Sequence, residues 1–417
     1  AMLIAAPPLL FCAVVAASGM WSFQNYRYIS AGFPALLLVA GLALCPPRLP
    51  LPARLRAVLP ARLAVILPAA MVGLAALTAL AAVVTAPAPL SREMRFFAQG
   101  ARDSNAQVVA IGRWVADNLP EDAHIAIHDA GAIPYYSERR ITDLLGLVTN
   151  HMALDTNNGP GSRFEMIERI PADERPSHFA YYRGWLGTDD LYGERLLDTP
   201  LPARLDPDRR LVGGDNMQVY RARWDLLDSG HAPQAPHPGW SVVDRIDVAD
   251  MRSEAEHDYW ADMGRRSFPG RNERWSVYHR GPAQSGAGGA TQMIADGGRP
   301  VRGPGGERFR IRVDPNLPVR LVMRSGGRGN VWVKPARTGQ TAMVREIASG
   351  AVLGTLTLPR PSLRFHELSL DLPAGALSGT EVMLAVTPTE SAAAADRPGG
   401  SGQGYLSYHY FVLQPAQ

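Results

Sequence analysis

Three uncharged apolar runs, 2–20, 29–47 and 63–88, open the chain, and its first 91 residues hold no Asp or Glu at all. Each run reaches or approaches the ~20 residues that a helix needs to cross ~30 Å of hydrocarbon. Lipid offers the backbone no hydrogen bonds, so such runs are expected as helices despite Pro7, Pro8, Pro34 and Pro68. A signal peptide fits the first run poorly, because no basic stretch precedes it and two more runs follow. Buried core helices fit poorly too, given three such runs in 88 residues without an acidic group.

Loop charge sets the expected orientation. The second connection carries Arg48, Arg54, Arg56 and Arg62, which places it on the cytoplasmic side. The first connection then lies outside, with Trp21, Phe23, Tyr26 and Tyr28 as an interfacial aromatic belt. Everything from about Pro89 onward is expected on the outer face of a bacterial inner membrane, periplasmic or extracellular. Because the chain enters an apolar run at once, it reads as the C-terminal part of a longer polytopic protein.

At 417 residues the chain exceeds one ordinary core. Beyond the five Arg of the apolar region, 42 − 5 = 37 basic groups face 39 acidic ones, a net of −2. That balance excludes a nucleic-acid binder driven by bulk charge. Only two cysteines, Cys12 and Cys45, exclude a disulfide scaffold. Gly 40 and Pro 35 point to many turns and β connections.

Residues 98–118 have helical spacing, with Val108, Val109, Ile111, Trp114 and Val115 on one broad face. Short apolar runs at 124–128, 140–145, 178–182 and 217–221 read as strands, and 163–169 as a helix. From Trp240 the helical signal fades, and alternating runs recur at 309–313, 319–323, 331–333, 365–370, 382–386 and 408–412. The expected fold class is multidomain: transmembrane helices over 1–88, a small α/β domain over 89–229, a linker at 230–239, and an antiparallel β-sandwich of jelly-roll type over 240–417.

The segment Gln24-Asn-Tyr-Arg-Tyr-Ile-Ser-Ala-Gly-Phe-Pro34, running straight into an apolar stretch, resembles a late external loop of GT-C membrane glycosyltransferases. The downstream runs Ile125-Ala-Ile-His-Asp129, Tyr135-Tyr-Ser137 and Ile141-Thr-Asp143-Leu-Leu-Gly-Leu147 resemble the extracytoplasmic segment of bacterial members. The likeness covers roughly residues 20–225. It implies transfer of a sugar from a polyprenyl-phosphate donor to an envelope acceptor. The family's catalytic carboxylate sits in a first external loop, which would precede residue 1, so this chain alone is expected to be inactive. The implied partners are the lipid bilayer, a lipid-linked sugar donor and a glycan acceptor. The β-sandwich is similar to carbohydrate-binding modules at the level of fold. A membrane-anchored, non-catalytic sugar-binding or envelope-scaffold protein is the alternative.

Arg27, flanked by Tyr26 and Tyr28, suits a donor phosphate at the membrane interface, or a plain lipid headgroup anchor. Asp129 and Asp143 follow or lie in the first two strands, at whose carboxyl ends α/β layers gather ligands; turn carboxylates are the plainer reading. His124 and His128 could ligate a metal from one strand face, but the spacing is a weak signal against hydrogen-bonded histidines. Asp189-Asp190 reads as a helix cap, and Asp247 to His257 as a solvated acidic turn. Trp332, Tyr408 and Tyr410, with Tyr405, could form a sugar-stacking platform, although aromatics at strand spacing are more often core. No nucleotide loop, nucleophile elbow, Cys-x-x-Cys or other metal motif is present, so no cofactor is assigned.

Overall fold

The computed structural model describes residues 10–15, 17, 34, 87–202, 211–263, 275–283, 292–326, 341–359, 363–389 and 404–416. The chain divides into two compact units, 1–106 with 201–215, and 107–200 with 216–417. In the first unit, helix α1 (Pro87–Ser104) carries Gly100 hard against Leu211; a Cβ there would lie 2.1 Å from Leu211 Cδ1.

The expected fold class, led by transmembrane helices, is corrected. Among the described residues no helix is long and apolar enough to cross a membrane. The three apolar runs lie almost wholly outside those residues. Where the third run ends, residues 87–88 open α1, whose Arg92, Glu93, Arg95, Arg102 and Asp103 suit water and not hydrocarbon. Strands dominate the rest.

The second unit begins its α/β layer with α2 (Ala110–Asn118). Then come β1 (His124–Ile127), α3 (Ala132–Ser137), β2 (Arg140–Asp143), α4 (Met152–Asn157), α5 (Pro160–Glu168), β3 (His178–Tyr182), β4 (Tyr192–Pro200) and β5 (Asn216–Ala222). The sheet order is β2-β1-β3-β5-β4, with β2, β1 and β3 parallel and the other pairs antiparallel. Every residue of β1 and β3 is buried, as expected of strands covered on both faces. Successive side chains alternate between two cores. Ile125 and Ile127 pack with Ile111 and Val115 of α2, while Ala126 packs with Phe164 and Ile167 of α5.

The sandwich follows within the same unit. Its strands are β6 (Trp240–Asp247), β7 (Trp260–Ala261), β8 (Val277–Pro282), β9 (Met293–Val301), β10 (Glu307–Arg312), β11 (Val319–Gly326), β12 (Thr341–Glu346), β13 (Val352–Thr357), β14 (Phe365–Leu372), β15 (Glu381–Pro388) and β16 (Tyr405–Pro415). A short helix, α6 (Met251–Glu256), follows β6. One sheet runs β13-β12-β15-β10-β7, the other β14-β11-β16-β9-β8, with β6 paired to β16. In β10, Phe309 and Ile311 point into the core while Arg308, Arg310 and Arg312 point out. A one-residue slip would bury three guanidinium groups, so this alternation pins the register.

Helix α5 joins the layer to the sandwich. The Ser162 amide donates to Ser276 Oγ at 2.7 Å, and the Gly297 amide to Glu165 Oε1 at 2.7 Å. Gly161 makes the approach possible, because a Cβ there would sit 2.3 Å from the Val277 carbonyl oxygen. Beside this seam, Arg324 is fully buried. Its Nη1 donates to Asp296 Oδ2 at 2.8 Å and to the Gly230 carbonyl, and its Nη2 donates to Glu367 Oε1 at 2.9 Å and the Ala232 carbonyl. A desolvated guanidinium thus ties segment 230–232 to β9, β11 and β14.

Candidate functional site

Strand β1 lies between β2 and β3, and the chain leaves β1 on one side and returns to β3 on the other. The carboxyl ends of β1 and β3 therefore bound a topological switch point, where open α/β sheets take ligands. Four rings meet there. His128, the first residue after β1, has its ring centroid 4.8 Å from Tyr181, 5.0 Å from Tyr182 and 4.9 Å from Trp185. Tyr182 and Trp185 are 5.1 Å apart. His128 is 6% exposed, whereas Trp185 is 48% exposed. Trp185 therefore backs onto buried rings and still offers surface to solvent.

The polar groups around these rings have set roles. Burial pushes His128 down to about 4, against the upward pull of Asp129 and Asp143, so the ring is neutral at pH 7. Its Nδ1 has no hydrogen-bond partner. Tyr181 donates to the Ile127 carbonyl at 2.8 Å. The turn that presents Trp185 is shaped by Gly184 (φ 83°) and Gly187 (φ 74°), both in the left-handed region that glycine enters without strain. Asp189 holds that turn by accepting the Gly184 amide at 2.9 Å, and Arg183 lies 3.8 Å from the same carboxylate.

The residues singled out from sequence fall in several places. Asp129 does follow β1, and its Oδ1 accepts the Gly131 amide at 3.2 Å. Asp143 ends β2 with both oxygens committed, Oδ1 to the Leu145 amide and Oδ2 to those of Leu147 and Val148. It is a turn carboxylate. His124 Nε2 lies 2.8 Å from Thr142 Oγ1, and among the described residues neither it nor His128 joins a metal-ligating cluster. Asp190 pairs with Arg280 at 2.9 Å and makes no cap. The acidic turn after β6 is not solvated: Asp247 is buried, Glu254 is paired with Arg299 at 2.8 Å, and Asp250 caps α6 by accepting the Arg252 amide at 2.8 Å.

Tyr408 and Tyr410 form no surface platform, since both are 0% exposed. They also do not share a face. The β11–β16 register shifts between Arg324 and Ser325, which pair with His409 and Ser407. The bulge flips the alternation, so Tyr410 enters the sandwich core with Phe309 while Tyr408 packs with Val277 and Phe365. Tyr410, Tyr405 and Tyr259 all donate to the buried Glu307. Arg27, Tyr26, Tyr28 and Trp332 lie outside the described residues. The Trp185 ring cluster was not singled out from sequence; its signal is Gly184-Trp-Leu-Gly187 directly after a strand.

Residues 93–261 match a family model described as a domain of unknown function (DUF8728). No curated protein matches. Similar solved structures include a carbohydrate-binding module (CBM6cm-2) from Cellvibrio mixtus lichenase 5A in complex with cellotriose, at 9% identity and TM-score 0.20 over 42% of this chain and all of that one. The CBM22-1 xylan-binding domain from Paenibacillus barcinonensis Xyn10C gives 11% identity and TM-score 0.22, over 44% and 99% of the two chains. TmCBM27, described for mannan recognition, gives 8% and 0.24, over 42% and 99%. At TM-scores this low the likeness decides nothing by itself.

The GT-C resemblance is corrected by these findings. The matching family model is a domain of unknown function spanning the α/β layer into β7, and no described helix can cross a membrane. The short motifs that suggested the resemblance are strand and turn elements of the α/β layer: 125–129 is β1 and its exit, and 141–147 is β2 and its Asp143 turn. Their composition follows from burial on two faces and from turn chemistry, without any reference to glycosyl transfer.

Proposed function

We propose that the chain is a non-catalytic carbohydrate-binding protein whose partner is an extracytoplasmic glycan, with Trp185 as the sugar-stacking residue. The observation that carries this reading is the half-exposed Trp185 ring resting on His128 and Tyr182 at the switch point. An indole face carries partial negative charge, and the axial C–H groups of a pyranose carry partial positive charge, so the two stack without desolvating an ion. Packing from behind fixes the ring in advance, which lowers the ordering cost of binding. Arg183 and Asp189 in the same turn offer a donor and an acceptor for hydroxyl groups.

The test is isothermal titration of the chain with cello-, xylo- and manno-oligosaccharides, followed by a broader panel of envelope glycans. Saturable binding of at least one glycan is expected, with quenching of tryptophan fluorescence. Trp185→Ala should weaken it by about tenfold or more, the cost of a lost stacking anchor of ~1.4 kcal/mol or above. Equal affinity in Trp185→Ala, or no glycan bound at millimolar concentration, would overturn the reading.

A further inference from the structure

We propose that Glu165, Glu168, His231 and Asp247 bind one divalent transition-metal cation, Mn²⁺ or Zn²⁺, at the seam between α5 and the sandwich. Glu165 and Glu168 stand one turn apart on α5, so both carboxylates leave the same helix face. Ligand atoms of Glu165, Glu168 and His231 lie within 4.8 Å of one another. Backbone amides hold both glutamates in place: Gly297 donates to Glu165 Oε1 at 2.7 Å, and Asp228 to Glu168 Oε1 at 2.6 Å. His231 joins them from segment 230–232: its Nε2 meets Glu168 Oε2 at 3.0 Å and lies 3.9 Å from Asp247 Oδ2, and its Nδ1 lies 3.3 Å from Asp228 Oδ1.

An independent observation comes from Asp247. Its side chain is 7% exposed, and its Oδ1 has no hydrogen-bond partner. A buried carboxylate oxygen with no donor costs stability unless a cation answers it. Three carboxylates and one imidazole form a mixed oxygen and nitrogen set, which suits Mn²⁺ or Zn²⁺ better than the all-oxygen shell of Ca²⁺. Access runs past His231, whose side chain is 30% exposed and lines an open groove of about 500 Å³ with Val243, Arg245 and Arg312.

The neighbouring cluster of Asp247, Asp296 and His409 is not the site. His409 and Asp296 are each 1% exposed, so no open path leads an ion to them. Asp296 also accepts from Arg324.

The experiment strips the full chain with chelator and then adds MnCl₂ or ZnCl₂ alone. Bound metal is counted by equilibrium dialysis, and for Mn²⁺ by loss of the free-ion resonance signal. One equivalent per chain is expected, with a metal-dependent rise in melting temperature. Glu165→Gln and His231→Gln should each weaken binding by about tenfold or more. Chelated Glu165→Gln should unfold at the same urea concentration as the chelated parent or a higher one, which separates lost ligation from a lost fold. Substoichiometric binding, unchanged affinity in both variants, or preference for Ca²⁺ over both ions would overturn the proposal.

Discussion

The neutrality of His128 makes a quantitative prediction. Its folded-state pKa is about 4, against an ordinary 6.5, because burial among Tyr181, Tyr182 and Trp185 disfavours the charged ring. Between these two values the unfolded chain takes up the proton and the folded chain does not. Acidification through that window therefore favours unfolding, while above pH 6.5 this histidine contributes no slope. The slope is about 1.4 kcal/mol per pH unit, so the full window removes about 3 kcal/mol. Other buried histidines titrate as well, some with the opposite sign, so the measurement must be a difference. His128→Phe keeps a ring of similar size and cannot charge. Urea unfolding of parent and variant at pH 7 and pH 5 should show the parent losing about 2 kcal/mol more than the variant on acidification. The variant should match or exceed the parent at pH 7, since it also removes the unpartnered Nδ1. Parallel losses in the two proteins, or an imidazole titrating near 6.5 by nuclear magnetic resonance, would refute the reasoning.

Two further outcomes follow from the packing. Arg324→Met leaves Glu367 buried without its cation and Asp296 with His409 alone, and should cost about 3–5 kcal/mol in chemical denaturation; adding Glu367→Gln should restore part of it. Gly161→Ala drives a Cβ to 2.3 Å from the Val277 carbonyl oxygen and should cost about 1–3 kcal/mol, whereas Gly379→Ala, with nothing within 4 Å, should stay within about 0.5 kcal/mol of the parent.

Strand alternation made part of the fold legible. Phe309-Arg-Ile-Arg, Val319-Arg-Leu and Val382-Met-Leu-Ala-Val386 each place an apolar residue at every second position, and all three became strands. Strand β9 was not legible, because Asp296-Gly-Gly-Arg-Pro300 has the composition of a turn. It is a strand for tertiary reasons. At Gly297 a Cβ would meet the Gly161 carbonyl oxygen at 2.9 Å, and at Gly298 the Ser407 carbonyl oxygen at 2.5 Å, so helix and strand press on a backbone that has to be bare. The Tyr408–Tyr410 pairing failed for a related reason: a bulge inserts one residue, and nothing local in the sequence marks it.

The buried charges were not legible, because a polar face in an alternating strand is ambiguous. Arg324 and His409 are neighbours across β11 and β16, on the face turned away from the sandwich core. Alternation alone says that such a face does not contact its own core. It does not say whether water or another layer covers it. Here segment 230–232 and the acidic side chains of β6 and β9 cover it, and Arg324 and His409 are 0% and 1% exposed. Once covered, these groups need partners. That requirement accounts for Asp296 and Glu367 beside Arg324, and for Asp247 and Asp296 beside His409. The same layer brings Glu165 and Glu168 to His231 and leaves one oxygen of Asp247 without a donor. That grouping exists only because α5 is laid against β8 and β9, so no spacing rule along the chain could have shown it.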